Sequence, residues 1–207
     1  MIEIPVHIVG CMRTPPWLMA CVCTLVLIGC TASPDTLLEA SNEVNVPPTK
    51  SFIAATLNRS VDEGPNFDLR SSIDSPTLVL WVATGCYGCH DWTAMLNEAI
   101  LHHPGLNASQ VLSIHRYPDI EPSSAVFDTY GNESSQHYAP WRILIPKPQA
   151  TIMDAATGQF TEIDLFEAYG NPVTPTLHVM SPDGNIVWKS SSYWANQSIL
   201  EEAMTFL

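Results

Sequence analysis

The middle of the chain contains an uninterrupted run of apolar residues, Leu78 to Val82, shortly after the Ser75-Pro76 dipeptide. A short apolar run behind a proline predicts a strand that is buried on both faces of a sheet. Apolar side chains then recur every three or four residues from Trp92 to Ile100, which predicts an amphipathic helix, and Pro104-Gly105 marks its end. The pattern therefore predicts a central strand that leads into a helix.

The second half of the chain predicts a strand, a hairpin and a closing helix. Val111 to Tyr117 is typical of a second strand. Thr176 to Met180 and Ile186 to Lys189 predict a hairpin, because the turn sequence Pro-Asp-Gly-Asn lies between them. Apolar residues on one face from about Ser198 to Phe206 predict an amphipathic helix at the end of the chain.

A long segment, from Pro118 to Phe160, follows the second strand. It is too long for a loop of a compact domain, so we expect an insertion with a small structure of its own. Trp141 and its apolar neighbours are expected to pack onto the core, with a lid or docking surface as the alternative. After the insertion, Thr161-Glu162-Ile163-Asp164 has the form of a capping box and predicts a short helix that ends at Gly170.

The N-terminal region has the pattern of an export leader. The apolar run from Leu18 to Ile28 follows Arg13 and is shorter than the roughly 20 residues that cross a bilayer. The run closes on Leu27-Ile28-Gly29-Cys30, which resembles the lipobox of bacterial lipoproteins, where the leader is cut before the cysteine and lipid is attached to it. We expect Cys30 to carry this lipid. A plain membrane anchor or an ordinary cleaved signal is the alternative.

These patterns give a domain organisation. Residues 1–29 are predicted to be the lipoprotein signal peptide. Residues 30–65 are rich in Ser, Thr, Asn, Pro and acidic residues, which is typical of a tether, although Phe52 to Leu57 could pack on the domain. The folded domain is predicted to span residues 66–207, with its insertion at about 118–160.

The chain is strongly acidic, with a formal net charge of −13. Proteins that bind nucleic acid present clustered Lys and Arg to the phosphates, and this composition argues against that class. We interpret the acidic residues as a solvated surface.

Two cysteines remain once the leader cysteines and Cys30 are set aside, namely Cys86 and Cys89. Exported proteins normally use cysteines in pairs, because their compartment is oxidising. A disulfide between residues three apart closes too small a loop to stabilise a fold by much. The pair therefore indicates chemistry rather than stabilisation.

The predicted strand places Cys86 at the first turn of the predicted helix. Unpaired backbone N–H groups and the positive end of the helix dipole favour a thiolate there, so we expect a Cys86 pKa below the free value of about 8.5. Cys86 would attack a disulfide, and the more buried Cys89 would resolve the mixed disulfide that forms. Tyr87 offers an aromatic surface beside the attacking sulfur, and Gly88 removes bulk between the two cysteines.

Several segments resemble the thioredoxin superfamily, and in particular its exported TlpA-like and redoxin members. The match covers the strand with its C-x-x-C run, the entry segment before it, the loop before the hairpin and the hairpin itself. These segments are Leu78 to His90, Phe67 to Leu69, Ala168 to Leu177 and Ser181 to Trp188.

The resemblance implies an α/β thioredoxin-like fold, with a central mixed sheet flanked by helices, and a thiol–disulfide oxidoreductase without cofactor or metal. It implies that Pro175 forms a cis peptide bond with Thr174 beside the cysteines, and that Thr174, Pro175 and Tyr87 contact the substrate. The partners would be exported thiol or disulfide proteins and a redox partner, at a lipoprotein facing the periplasm in the cell envelope.

The sequence departs from the family at two positions. The buried acid that thioredoxin carries on the central strand would fall at Val79, so proton exchange with Cys89 must use another group or water. Gly85 stands where many members have a Trp before the first cysteine.

Three other interpretations stay open. Cys86-Tyr87-Gly88-Cys89-His90 is formally a c-type haem attachment motif with His90 as axial ligand. A zinc or copper site could use both cysteines with His90, His102 or His103. The third interpretation is a lipoprotein that binds a partner without catalysis.

Overall fold

The computed structural model describes residues 45–207, so the predicted leader, the Cys30 lipidation site and the first part of the tether lie outside the described residues. The strands are β1 (Lys50–Thr56), β2 (Asn66–Asp68), β3 (Thr77–Val82), β4 (Val111–His115), β5 (Arg142–Ile145), β6 (Thr151–Asp154), β7 (Gln159–Asp164), β8 (Thr176–Met180) and β9 (Ile186–Ser190). The α-helices are α1 (Leu69–Ser72), α2 (Tyr87–His102), α3 (Ser123–Val126), α4 (Leu165–Ala168) and α5 (Gln197–Met204). A π-helical turn, Phe127–Gly131, continues α3.

The strands form one mixed sheet in the order β7-β6-β1-β5-β4-β3-β8-β9, and β2 pairs with β1 at the side of this path. Strands β3, β4 and β5 are parallel, whereas β8 is antiparallel to β3 and β9 is antiparallel to β8. Helix α2 forms the crossover from β3 to β4, as parallel pairing requires. The carboxyl ends of β3 and β4 therefore meet at the same edge of the sheet.

Strand β3 is buried on both faces, which explains its uninterrupted apolar sequence. Leu78, Leu80 and Val82 pack with the buried residues of α2 and α5 on one face. Val79 and Trp81 point to the other face, where they pack with residues of α1 and α4. Burial lowers the pKa of His178 to about 4, as does the positive charge of Lys189, so its neutral ring accepts a hydrogen bond of 3.1 Å from Trp81 Nε1.

The structure confirms the elements that have clear periodicity. The predicted strands at Leu78 and Val111, the hairpin and the closing helix correspond to β3, β4, β8 with β9, and α5. The predicted helix after the cysteines is α2, and it ends at His102, before Pro104-Gly105.

The predicted capping box at Thr161-Glu162-Ile163-Asp164 is wrong. These residues belong to β7, and α4 begins only at Leu165. Asp164 caps that helix, since its carboxylate accepts hydrogen bonds from the N–H groups of Phe166 and Glu167. The acceptor of the cap is thus the last residue of the predicted box rather than the first.

The predicted tether, residues 30–65, also extends too far into the domain. Strand β1 is paired with β2, β5 and β6, and Phe52 in it is fully buried. The polar residues that surround β1 in the sequence gave this segment the composition of a tether, but its apolar side chains enter the core. The folded domain therefore includes residues from Lys50 onward.

The predicted insertion adds strands to the sheet instead of folding apart from it. Strand β5 pairs in parallel with β4, and β6 and β7 continue the sheet beyond β1. Trp141 is 1% exposed, and its Nε1 donates to Ser113 Oγ at 2.9 Å, which confirms that it packs onto the core. A lid built on Trp141 is excluded by this burial.

A buried ion pair fastens the predicted insertion to the start of the domain. Asp62 is 1% exposed, and its carboxylate accepts hydrogen bonds from the Arg59 side chain and from the N–H of Ile143. The Arg59 guanidinium also donates to the carbonyl oxygens of Ala139 and Trp141 at 2.9 and 2.6 Å. The pair thus satisfies backbone groups that would otherwise be buried without partners.

Candidate active site

The two cysteines lie where the carboxyl end of β3 turns into α2. Ala83, Thr84 and Gly85 form the connecting loop, and the N–H of Cys86 closes it with a hydrogen bond of 3.3 Å to the carbonyl oxygen of Ala83. Cys86 is the N-cap of α2, and its Sγ accepts the N–H of Cys89 at 3.1 Å. The first sulfur therefore occupies the position at which a helix presents unpaired N–H groups.

Cys86 and Cys89 form a disulfide, with their Cα atoms 5.2 Å apart. Cys86 is 8% exposed and Cys89 is fully buried. The Cys89 sulfur lies 3.9 Å from the carbonyl oxygen of Trp81, which can accept its S–H when the pair is reduced. Cys86 is therefore the more accessible residue of the pair.

Gly88 lies between the cysteines, under a loop that comes from the far end of the chain. A Cβ on Gly88 would collide with the backbone carbonyl of Tyr193 and would come within 3.1 Å of Pro175 Cδ. The segment that carries Tyr193 is tied to α2 by hydrogen bonds from Trp92 Nε1 to the carbonyl of Ser192 and from the N–H of Ala195 to Asp91. Only glycine fits this close approach.

The structure places Pro175 next to the cysteine turn, through its contact with Gly88, and the Thr174–Pro175 peptide bond is cis. Pro175 is buried and Thr174 is half-buried. Tyr87 projects from the first turn of α2 and is 72% exposed. The backbone of Tyr193 lies over Gly88, and the side chains of Tyr193 and Trp194 pack edge to face and are 45% and 60% exposed. We call Tyr87, Tyr193 and Trp194 the aromatic rim.

The prediction that Val79 occupies the place of the family's buried acid is wrong. Val79 points to the face covered by α1 and α4, away from the cysteines. The β3 residues on the side of Cys89 are Leu78, Leu80 and Val82, and all three are apolar. Strand β3 therefore supplies no carboxylate beneath the pair.

His90 follows the pair on α2 and is turned toward the loop. Its Nε2 lies 2.9 Å from the carbonyl oxygen of Thr84, and its ring stacks on His137 at 3.8 Å. His102 lies thirteen residues beyond Cys89 on the same helix, or about 20 Å at 1.5 Å per residue. Neither His102 nor His103 can therefore join a site with the cysteines. Within residues 45–207, no three His, Cys, Asp or Glu side chains are grouped to hold a metal.

The geometry disfavours the c-type haem interpretation. Attachment needs both sulfurs to face one haem and a free histidine nitrogen to bind the iron. Here Cys89 has no exposed surface, and the Nε2 atom of His90 is held by Thr84.

Sequence reasoning missed a polar cluster beside the loop. One carboxylate oxygen of Glu121 accepts the N–H of Thr84 at 2.9 Å and lies 2.8 Å from Nε2 of His115. Tyr130 donates its hydroxyl proton to the carbonyl oxygen of Ala83 at 2.7 Å. His115 ends β4 and Glu121 follows it, at the edge where parallel β3 delivers Cys86, so only the strand order connects these residues with the cysteines.

Burial and hydrogen bonds together set the charge states of these three side chains. Burial lowers the pKa of His115, more than its contact with Glu121 raises it. Burial by itself would raise the pKa of Glu121, but hydrogen bonds from Thr84 and His115 outweigh it and hold the pKa below its usual value. Burial raises the pKa of Tyr130, and so does the charge of Glu121. At neutral pH the cluster therefore consists of a carboxylate, a neutral imidazole and a neutral phenol.

Comparison of the sequence with protein-family models finds no match, and comparison with curated proteins finds none either. Solved structures do match. The pneumococcal exposed lipoprotein thioredoxin Etrx1 from Streptococcus pneumoniae is 14% identical, with a TM-score of 0.52 over 76% of this chain and 99% of that chain.

Two further structures are similar at lower scores. A putative thiol:disulfide interchange protein DsbE from Chlorobium tepidum is 12% identical, with a TM-score of 0.49 over 75% of this chain and 91% of that chain. A secreted Mycobacterium tuberculosis disulfide oxidoreductase is 16% identical, with a TM-score of 0.48 over 75% of this chain and 96% of that chain. The mixed sheet flanked by helices and the match to the pneumococcal protein show that this chain has the thioredoxin-like fold, as its sequence predicts.

Proposed function

We propose that this chain is a protein thiol–disulfide oxidoreductase in which Cys86 attacks and Cys89 resolves. The observation that carries the proposal is the position of the disulfide at the start of α2, with the Cys86 sulfur accepting a helix N–H while Cys89 is buried. A disulfide that serves only to stabilise a fold gains nothing from this placement.

The exchange proceeds in two displacements. The Cys86 thiolate attacks one sulfur of a client disulfide, which forms a mixed disulfide and releases the other client sulfur as a thiolate that takes up a proton. Cys89 then loses its proton and attacks the Cys86 sulfur. The Cys86–Cys89 disulfide forms and the second client sulfur leaves. Two electrons pass from the protein to the client, and the reverse sequence oxidises a client dithiol.

The local geometry favours Cys86 as the attacking thiol and Cys89 as the resolving thiol. A thiolate at Cys86 keeps the hydrogen bond from the N–H of Cys89 and lies at the positive end of the α2 dipole. Cys89 has no exposed surface and no such donor, so a client reaches Cys86 first. The two sulfurs are already in bonding geometry, so the second displacement needs no large movement.

The client is an extended segment of an exported protein. Pro175 lies against the cysteine turn with Thr174 before it in the chain, and the aromatic rim adds exposed apolar surface to this end of α2. Tyr87 is the rim residue beside the attacking sulfur. We propose a location in the cell envelope, facing the periplasm, and the support for it is the leader and the Cys30 lipobox expected from the sequence. A separate redox partner restores the pair after each cycle. Within the described residues no helix is long and apolar enough to cross a membrane.

The alkylation rates of the two cysteines in the reduced protein test this assignment. We expect Cys86 to react with iodoacetamide at least about tenfold faster than Cys89 at neutral pH, with a midpoint below the free-thiol value of about 8.5. Mass spectrometry of Cys86→Ser and Cys89→Ser variants measures each thiol alone. Equal rates, or a Cys86 midpoint at or above the free value, would contradict the proposal.

A further inference from the structure

An ionised carboxylate lies directly beside the loop that carries the attacking cysteine. The same oxygen of Glu121 accepts hydrogen bonds from the Thr84 amide, two residues before Cys86, and from His115. The backbone N–H of Glu121 is itself held, at 3.0 Å from the carbonyl oxygen of Tyr117. The carboxylate is therefore fixed at a defined place relative to the cysteines.

Among residues 45–207, no Lys or Arg forms an ion pair with Glu121. Its ionic contact is with His115, whose side chain is 2% exposed and whose ring is neutral at neutral pH because burial lowers its pKa. Arg116 is adjacent in sequence, but its Nε donates to the carbonyl oxygen of Pro172. The Glu121 side chain is only 19% exposed, so solvent screens its charge less than it would at the surface.

Asp91, on α2, is a second carboxylate near the cysteine turn, but it is exposed and accepts the N–H of Ala195, so solvent screens its charge. The other groups of residues 45–207 that face the turn carry no negative charge at neutral pH. His90 lies on α2 and His137 stacks on it, and burial, together with the nearby His90 ring, lowers the pKa of His137. Tyr130, on the π-helical turn, is neutral because burial raises its pKa. Strand β3 contributes only apolar residues to this side of the sheet. Strand β3 has no carboxylate on this side of the sheet, and the segment after β4 supplies a partly buried one, Glu121.

We infer that Glu121 is a positioning residue that sets the thiolate stability and the reduction potential of the Cys86–Cys89 pair, acting through the Thr84 amide and its own charge. This inference rests on the proposed function. The charge disfavours a second negative charge on Cys86, which raises the free energy of the reduced, thiolate form. The carboxylate therefore makes the pair more reducing than the helix position alone would make it.

The variant Glu121→Gln isolates the charge, because its amide oxygen can keep both acceptor contacts. We expect the ratio of thiolate to thiol at Cys86 to rise about tenfold, so that the alkylation profile moves to lower pH by about one unit without changing shape. The reduction potential, measured at a pH above both alkylation midpoints so that Cys86 is a thiolate in both proteins, rises with it by about 30 mV. Glu121→Asp keeps a carboxylate and stays within about twofold of the wild-type protein.

Glu162→Gln is the matched control. Glu162 is exposed on β7, five strands from β3 in the sheet, or about 24 Å at 4.8 Å per strand, so its charge is screened from the cysteines. An unchanged profile and potential in Glu121→Gln, or an equal shift in Glu162→Gln, would overturn the inference. If the wild-type pair shows no reversible cycle in a redox buffer, the proposed function itself fails, and that outcome is distinct from both.

Discussion

Replacing Cys89 by Ser is expected to turn the short-lived mixed disulfide with a client into a stable covalent complex. Cys86 keeps its thiol and attacks as before, but no thiol remains beside it to release the client. The resolving thiol is held in bonding geometry, so its loss slows release at least about a hundredfold. Non-reducing electrophoresis with mass spectrometry, using a peptide disulfide as client, measures the complex as a species linked through Cys86.

Cys86→Ser is the paired variant, and it is expected to form no complex. Cys89 is fully buried behind the first turn of α2, so it cannot replace the missing nucleophile. Both variants remove the disulfide, and any difference between them therefore reports the role of each sulfur rather than the loss of the crosslink. Complexes linked through Cys89 in comparable amounts would contradict the assigned roles.

The largest expected effect on stability comes from Asp62→Ala. This change leaves the Arg59 guanidinium, with its side chain only 9% exposed, without its carboxylate partner, and it leaves the N–H of Ile143 without an acceptor. Removing one member of a buried ion pair typically costs about 3–5 kcal/mol in the free energy of unfolding. Urea unfolding of the oxidised protein, followed by tryptophan fluorescence, measures this loss.

The neighbouring ion pair provides the control for that experiment. Glu63 contacts Arg142 at the surface, and the Glu63 side chain is 74% exposed. Glu63→Ala is therefore expected to cost at most about 1 kcal/mol, the range of exposed pairs. Similar losses in Asp62→Ala and Glu63→Ala would show that the buried pair does not fasten the segment from Tyr130 to Trp141 to the domain.

The sequence allowed the centre of the site to be predicted because local patterns determine it. An apolar run before a C-x-x-C motif predicts a buried strand entering a helix, and β3 and α2 have these positions. The resemblance to the thioredoxin superfamily added the loop at Pro175, which lies 86 residues after Cys89 and which no local pattern connects to the cysteines.

The misplaced boundaries have a common physical cause. Strand β1 is stabilised by pairing with β5 and β6, which are distant in sequence, and β7 is stabilised by pairing with β6. Local composition does not report such pairing, so Lys50–Thr56 was assigned to a tether and Thr161–Asp164 to a helix start. Tertiary contacts outweighed local propensity in both segments.

The contacts of Glu121 were missed for a related reason. Thr84 and Glu121 are 37 residues apart, and they meet only because β3 and β4 are parallel neighbours. The side chain was one of many acids in a chain with a net charge of −13, and nothing in its immediate sequence distinguished it. Its position became informative only once the sheet order placed it at the edge that holds the cysteines.

The reduction potential of the Cys86–Cys89 pair in the wild-type protein tests the central claim most directly. Equilibration with glutathione or dithiothreitol buffers, followed by thiol trapping, is expected to give one reversible two-electron transition. Its potential should lie between roughly −270 mV, as in thioredoxin, and roughly −120 mV, as in DsbA. A value near the first would indicate a reductase, and one near the second an oxidase. A potential below about −300 mV, the range of structural disulfides, or a pair that does not reduce reversibly, would contradict the account.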